Sequence, residues 1–186
     1  MKFLTGGILL LLSFINTEAQ QKLFTKTGIA VFFSKAPIEN IEAKNNKLFS
    51  VWDVSSGQIE FSILMKGFAF DKALMQEHFN ENYVESDKYP KAFFKGVMEN
   101  PKNISLDKDG TYLVKVIGML TLHGITRQIT VPAKIEVKNK IISASTTFTL
   151  QLAEYKIKIP RIVSDNISKS ILINILVPSF QPLTPH

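Results

Sequence analysis

Residues 58–95 read QIEFSILMKGFAFDKALMQEHFNENYVESDKYPKAFFK, and a change of period inside this stretch decides the fold. In its first nine residues Ile59, Phe61, Ile63 and Met65 alternate with Gln58, Glu60, Ser62 and Lys66, Leu64 being the one violation. A period of two marks a half-buried strand, so the odd positions are expected to face inward. The period then lengthens. Leu74, Met75, His78, Phe79 and Tyr83 recur at helical spacing, with Lys72, Gln76, Glu77, Asn80 and Glu81 on the other side. Asp71 stands where an N-cap is expected, and Pro90 forces Tyr89 to be extended, so a strand begins near Ala92. A single short amphipathic helix needs an apolar surface to lie on. In a chain otherwise made of strands, that suggests a lid over a barrel opening.

Working outward, Gln21–Lys35 carries Phe24, Ile29, Val31, Phe32 and Phe33 on both parities, which predicts one or two strands without fixing the inner face. Ala36–Lys47 is polar and turn-rich and predicts a loop, and Leu48–Val54 predicts a short strand ending at Ser55-Ser56-Gly57. Downstream, Phe94 and Met98 share one face of a strand that ends by Pro101. Asp107-Lys108-Asp109-Gly110 predicts a tight hairpin, with Gly110 at positive φ. Tyr112–Leu122 is apolar on both faces, with Gly118 as a candidate bend, and His123-Gly124 is the next turn.

Ile129, Val131, Ala133, Ile135 and Val137 alternate cleanly, although Pro132 calls for a bulge or an edge. After the turn at Asn139-Lys140, Ala144, Thr146, Phe148, Leu150 and Leu152 form one inner row and Tyr155, Ile157 and Ile159 another, in two strands or one bent one. Pro160–Ser170 reads as a polar connection, Ile171–Val177 as a closing strand, and Pro178–His186 as a loose tail. About eight short strands call for a sandwich or a barrel, of which the barrel is preferred. A barrel of that size is filled by its own side chains or holds one slender ligand. The inward residues are Ile, Phe, Met and Leu, so a ligand would be apolar.

The 186 residues, 45% of them hydrophobic, suffice for one domain with a real core. Residues 1–19 read as a signal peptide: Lys2 supplies the charge, Leu4–Ile15 the apolar run, and Thr17-Glu18-Ala19 the cleavage site. That run falls short of the roughly 20 residues a spanning helix needs. Residues 20–186 are then the mature domain, periplasmic or secreted. The sequence holds no cysteine, which excludes disulfides, thiol chemistry and a lipidated cysteine anchor. A net charge of +6 suits an anionic partner such as a membrane surface, but the lysines are scattered and nucleic acid is not expected.

Catalytic and metal-binding groups are thinly supplied. His78, His123 and His186 lie far apart, without HExxH spacing or a GxSxG elbow. His78, on the apolar side of the helix, reads as a packed core or rim histidine; a metal site would need more ligands than His78 and His123 offer. His123 and Arg127 flank the turn HGITR near one end of the barrel. Arg127 falls on the inner parity, tolerable only at a wet rim or against an anion. It reads either as a rim arginine paired with a loop carboxylate or as a contact to a ligand's polar head.

Four stretches taken together, FTKTGIAVFFS, LMQEHFNENYVESDKYPKAFFKG, LTLHGITR and LAEYKIKIP, resemble the YceI-like family of bacterial periplasmic proteins over nearly the whole mature chain. The resemblance implies an antiparallel eight-stranded, lipocalin-like β-barrel with one short α-helix near its mouth and an elongated apolar cavity. It further implies binding of a polyisoprenoid, since some members bind such chains, with His123, Arg127 and Phe94 at positions matching the family's turn histidine, following basic residue and aromatic. On this reading Ile59, Phe61, Ile63, Met65, Phe94, Phe148, Leu150 and Ile157 line the bore, while Phe68, Phe70, Met75 and Phe79 guard one end. His123 and Arg127 are the head-group candidates. No cofactor is expected beyond a bound isoprenoid lipid, and no covalent chemistry. A passing membrane-surface contact and a homodimer through exposed strand edges complete the partners considered. Two rivals stand beside the carrier: a small-substrate enzyme or stress-response module using His123 with Arg127, and a filled barrel that binds proteins through outward Ile117 and Met119.

Overall fold

Alternation of inward and outward side chains builds the wall. In the structure, a computed structural model that describes residues 21–183, the long strands are β1 (Lys22–Lys35), β2 (Asn40–Asp53), β3 (Gln58–Leu64), β5 (Lys91–Met98), β6 (Gly110–Leu122), β7 (Ile125–Lys138), β8 (Ile141–Gln151) and β9 (Ser170–Val177). The segment read as a signal peptide, 1–19, and His186 lie outside the described residues. The neighbours run β1-β9-β8-β7-β6-β5-β3-β2, all antiparallel, and β2 pairs back onto β1 to close an eight-stranded barrel. Two-residue strands β4 (Ala69–Phe70) and β10 (Gln181–Pro182) add to β2 and β1. One short helix, α1 (Ala73–His78), continues as a wider π-type turn over Phe79–Tyr83.

The two ends differ. One is closed by fully buried Trp52, whose ring meets Phe180 edge-on at 5.7 Å, with Leu23, Met98 and Val177 beside them in the core. At the other end lie the β1–β2 tip, α1, the His123-Gly124 turn and the β8–β9 connection. His123 (φ 50°) and Gly124 (φ 70°) are both left-handed, as a two-residue hairpin with the twist of its strands requires.

Several expectations need correction. Residues 40–47, read as a loop, are the first half of β2. Ile41, Ala43 and Asn45 do alternate inward, but Ala43 and Asn45 are too small or polar to register as a strand. Gly110 is not at positive φ and makes no tight hairpin: β5 and β6 pair only from Phe93/Thr121 to Met98/Val116, and residues 99–109 form a longer connection. Asp109 instead accepts a hydrogen bond from Asn139 N–H at 3.0 Å.

Tyr155–Ile159 is not strand. Leu152–Tyr155 turns as a 3₁₀ helix, Lys156 is left-handed, and Tyr155 and Ile157 fold into the core. The tail is not loose up to Pro182, because Phe180 packs on Trp52 and β10 pairs with Leu23 and Phe24. Asp71 does not cap α1, whose N-cap is Lys72 with no side-chain bond, and Leu74 points outward at 61% exposure. Gly118 is a site of close approach rather than a bend. It faces Gly96 across β5 and β6, and a Cβ there would stand 2.5 Å from the Lys95 carbonyl oxygen and 2.6 Å from the Phe94 ring.

Pro132 keeps its place opposite Lys115 on β6, but the ladder to β8 reaches only Lys134/Ser145. Past that point the Thr146 hydroxyl donates to the Pro132 carbonyl at 2.6 Å. A residue without an N–H thus sits where β7 and β8 part.

Candidate functional site

A cavity of about 420 Å³ runs inside the barrel, from Met98 and Val177 at depth to Glu39, Met75 and Val163 at the mouth. All twelve residues assigned to the bore and its guard from sequence border it: Ile59, Phe61, Ile63, Met65, Phe68, Phe70, Met75, Phe79, Phe94, Phe148, Leu150 and Ile157. Phe61 and Phe148, on opposite stretches of the chain, face one continuous space. Its wall also includes residues the sequence reading passed over, among them Ala30, Ser34 and Ala92.

These small side chains explain why the bore is open. A ring of eight strands can be filled by large residues, and each inward alanine or serine leaves a gap that no neighbour fills. In β1 the bulges between Thr25 and Ala30 put Gly28, Ala30, Phe32 and Ser34 inside and turn the larger Ile29, Val31 and Phe33 away. The apolar pattern on both parities hid this register, since the inner row is the one with the smaller residues.

At the mouth four phenyl rings gather between β1 and α1. Phe32 lies 5.5 Å from Phe68, 5.6 Å from Phe70 and 5.4 Å from Phe79, centroid to centroid. Phe79 also meets Phe70 at 5.1 Å, so the helix is seated by aromatic contacts on the bore side. Outside, Lys72 pairs with Glu39 at 2.6 Å across to the β1–β2 tip. The buried Asn45 amide donates to the Leu64 carbonyl at 2.9 Å and fixes the end of β3 from which this cap departs.

Neither head-group candidate borders the cavity. A carbonyl oxygen can only accept, so His123 Nδ1 donates to Tyr155 O, 2.9 Å away, while His123 Nε2 lies 2.7 Å from a Glu85 carboxylate oxygen. The Tyr89 ring closes over the imidazole edge-on at 4.7 Å. Both ring nitrogens are engaged in tying the segment after the helix to the turn after β8. Arg127 is exposed, and its Nε donates to the Glu154 carbonyl at 3.4 Å, a rim contact to backbone rather than to a carboxylate. His78 is exposed at the mouth, a rim histidine and not a core one.

This tie makes a structural prediction. His123→Ala removes two hydrogen bonds and places alanine at a left-handed φ, so chemical denaturation should show a loss of about 2 kcal/mol. Affinity for an apolar probe should stay within about threefold, a change under 1 kcal/mol. A fully stable variant that had lost probe binding would give His123 a ligand role instead.

Tyr155 supplies a second prediction. Its ring is fully buried and its hydroxyl has no hydrogen-bond partner in the structure. Burial, helped by Glu154 and opposed by Arg127, raises the phenol above the usual tyrosine value. Below pH about 10 the phenol is neutral in both states; above it only the unfolded chain ionises, and stability falls as pH rises. Tyr155→Phe should therefore raise stability at neutral pH by about 1 kcal/mol, the order of the desolvation cost of an unpaired hydroxyl. It should also flatten the alkaline decline, both read from unfolding midpoints at a series of pH values.

A family model described as YceI-like domain matches residues 24–177. A polyisoprenoid binding domain from Saccharophagus degradans, implicated in plant cell wall breakdown, superposes with a TM-score of 0.75 at 14% identity, covering 89% of this chain and 100% of that one. BcnA of Burkholderia cenocepacia gives 0.66 at 14% identity, over 80% of this chain and 94% of that one. A YCEI protein of Campylobacter jejuni gives 0.50 at 15% identity, over 100% of both. At such identities these likenesses speak to the fold. No curated protein matches the sequence.

Proposed function

The chain belongs to the YceI-like family, and from that membership and the shape of its bore we propose that it binds a long apolar molecule of isoprenoid type and carries or sequesters it. The single observation that supports this reading most is the cavity of about 420 Å³, walled by aliphatic and aromatic side chains and reaching the mouth. That volume lies within the range of small-molecule sites, which hold roughly 300–1,000 Å³. The Saccharophagus degradans domain of the same fold is described as polyisoprenoid binding, which favours an isoprene chain over other apolar guests.

The energetics agree. Each methylene moved from water into such a wall contributes about 0.8 kcal/mol, so a few isoprene units outweigh the cost of immobilising the guest. Apolar walls read girth and length, and the polar end of the molecule would remain at the mouth. No covalent step is part of this reading: His123 holds backbone and Glu85, away from the bore. The segment 1–19 supports export to the periplasm or beyond, where a carrier keeps an insoluble chain out of water.

Titration with a polyprenol or a long-chain quinone, followed by quenching of Trp52 or by displacement of a fluorescent fatty probe, tests the proposal. Saturable binding at about one per chain is expected. Failure of every apolar chain to displace the probe, or to bind without it, defeats the proposal.

A further inference from the structure

Two apolar side chains stand out of the mouth almost bare: Ile162 is 92% exposed and Ile38 69%. Ile162 occupies the turn Arg161–Val163 in the β8–β9 connection, and Ile38 the tip between β1 and β2. The two tips are joined. Ile38 N–H donates to the Asp165 carbonyl at 3.2 Å, and Ser168 N–H to the Ser34 hydroxyl at 2.8 Å.

Charge is unevenly shared around this lip. The connection exposes four basic residues, Lys156, Lys158, Arg161 and Lys169, against two acidic ones, Glu154 and Asp165, and Lys35 adjoins the neighbouring tip. Glu39, on that tip, is engaged by Lys72. The α1 side also exposes an apolar residue, Leu74, but sets it among Asp71, Glu77 and Glu81. Directly behind Ile162, Val163 and Ile167 border the cavity. Single exposed apolar residues are ordinary, but two on joined tips, flanked by cations and opening onto an apolar bore, form a surface with a direction.

We infer that the β8–β9 connection and the β1–β2 tip dock on a bilayer carrying anionic phospholipid. Ile162 and Ile38 enter the interface, the five basic side chains meet headgroups, and the mouth is held against the surface from which a chain can pass into the bore. Apolar insertion combined with basic flanks is how proteins lie on membranes without crossing them. The inference rests on the reading of the bore as a lipid site, and its test keeps the two apart.

Flotation of the protein with phosphatidylcholine vesicles, with and without phosphatidylglycerol, is the experiment. Binding is expected on the anionic vesicles only, falling as salt screens the headgroups. Ile162→Ser with Ile38→Ser should weaken it about tenfold, as loss of partly inserted isoleucines requires, and Lys158→Glu with Arg161→Glu should abolish it. Leu74→Ser should leave it unchanged. None of these variants should alter uptake of a fluorescent fatty probe in vesicle-free solution. No flotation, equal binding to neutral vesicles, or an unchanged Ile162/Ile38 variant overturns the docking surface, even if the probe still binds. Flotation that follows this pattern without probe uptake upholds the surface and removes the carrier.

Discussion

Ala133→Trp is expected to reduce affinity for an apolar chain by about 100-fold or more, a change of about 3 kcal/mol, while the barrel still folds. Ala133 points inward from the middle of β7 and borders the cavity. An indole built there projects into vacant volume instead of into packed neighbours, so the usual overpacking cost of about 1–3 kcal/mol should fall at its low end. The guest and the indole would compete for one space. Ile117→Trp, on the outer face where Ile117 is 38% exposed, is the matched control and should leave binding intact. Isothermal titration of both variants, with far-ultraviolet circular dichroism as the check on folding, reads the result. The rival in which the barrel serves as a protein-binding scaffold through Ile117 and Met119 predicts the reverse order of sensitivity.

Gly118→Ala should be the most damaging of small substitutions, lowering stability by about 3 kcal/mol or preventing folding. The added methyl would stand 2.5 Å from the Lys95 carbonyl oxygen and 2.6 Å from the Gly96 Cα, both backbone atoms that cannot rotate away. It would also meet the Phe94 ring at 2.6 Å, in the position where that ring packs beside Phe61 of the adjacent strand β3, 6.2 Å between centroids. Overpacking at a fixed backbone sits at the upper end of its range. Gly110→Ala is the comparison. Its nearest neighbour is the Tyr112 hydroxyl at 3.2 Å, a side-chain end that can shift, and a loss under about 1 kcal/mol is expected in urea unfolding.

The barrel was legible because large residues keep strict alternation in β3, β7, β8 and β9, where Ile59, Val131, Phe148 and Ile171 all face inward as their parity requires. It was illegible where the inner row is small. Ala43 and Asn45 are buried in the first half of β2, yet their side chains carry little of the hydrophobic signal that marks a strand, so that half read as loop. The same cause hid Ala30 and Ser34 in β1. Since those small residues are what leave the bore open, the feature most relevant to function was the one with the weakest pattern.

The partners of His123 and Arg127 were hidden for a different reason. His123 and Arg127 lie near the bore in sequence logic, because a turn histidine and an inner-parity arginine suggest a polar head group. Their partners, Glu85, the Tyr155 carbonyl and the Glu154 carbonyl, come from segments 27 to 38 residues away, and no local spacing reveals them. The position of α1 was readable from its period. Its lack of a side-chain cap was not, because the aromatic seat of Phe79 against Phe32 and Phe70 holds a helix too short to stand alone.

Native mass spectrometry of the protein purified without detergent or organic solvent, followed by extraction and lipid analysis, addresses the account most directly. A mass increment matching one long apolar chain per barrel, lost in Ala133→Trp, is the predicted result. A bare chain mass together with no increment on incubation with polyprenols or quinones would contradict it.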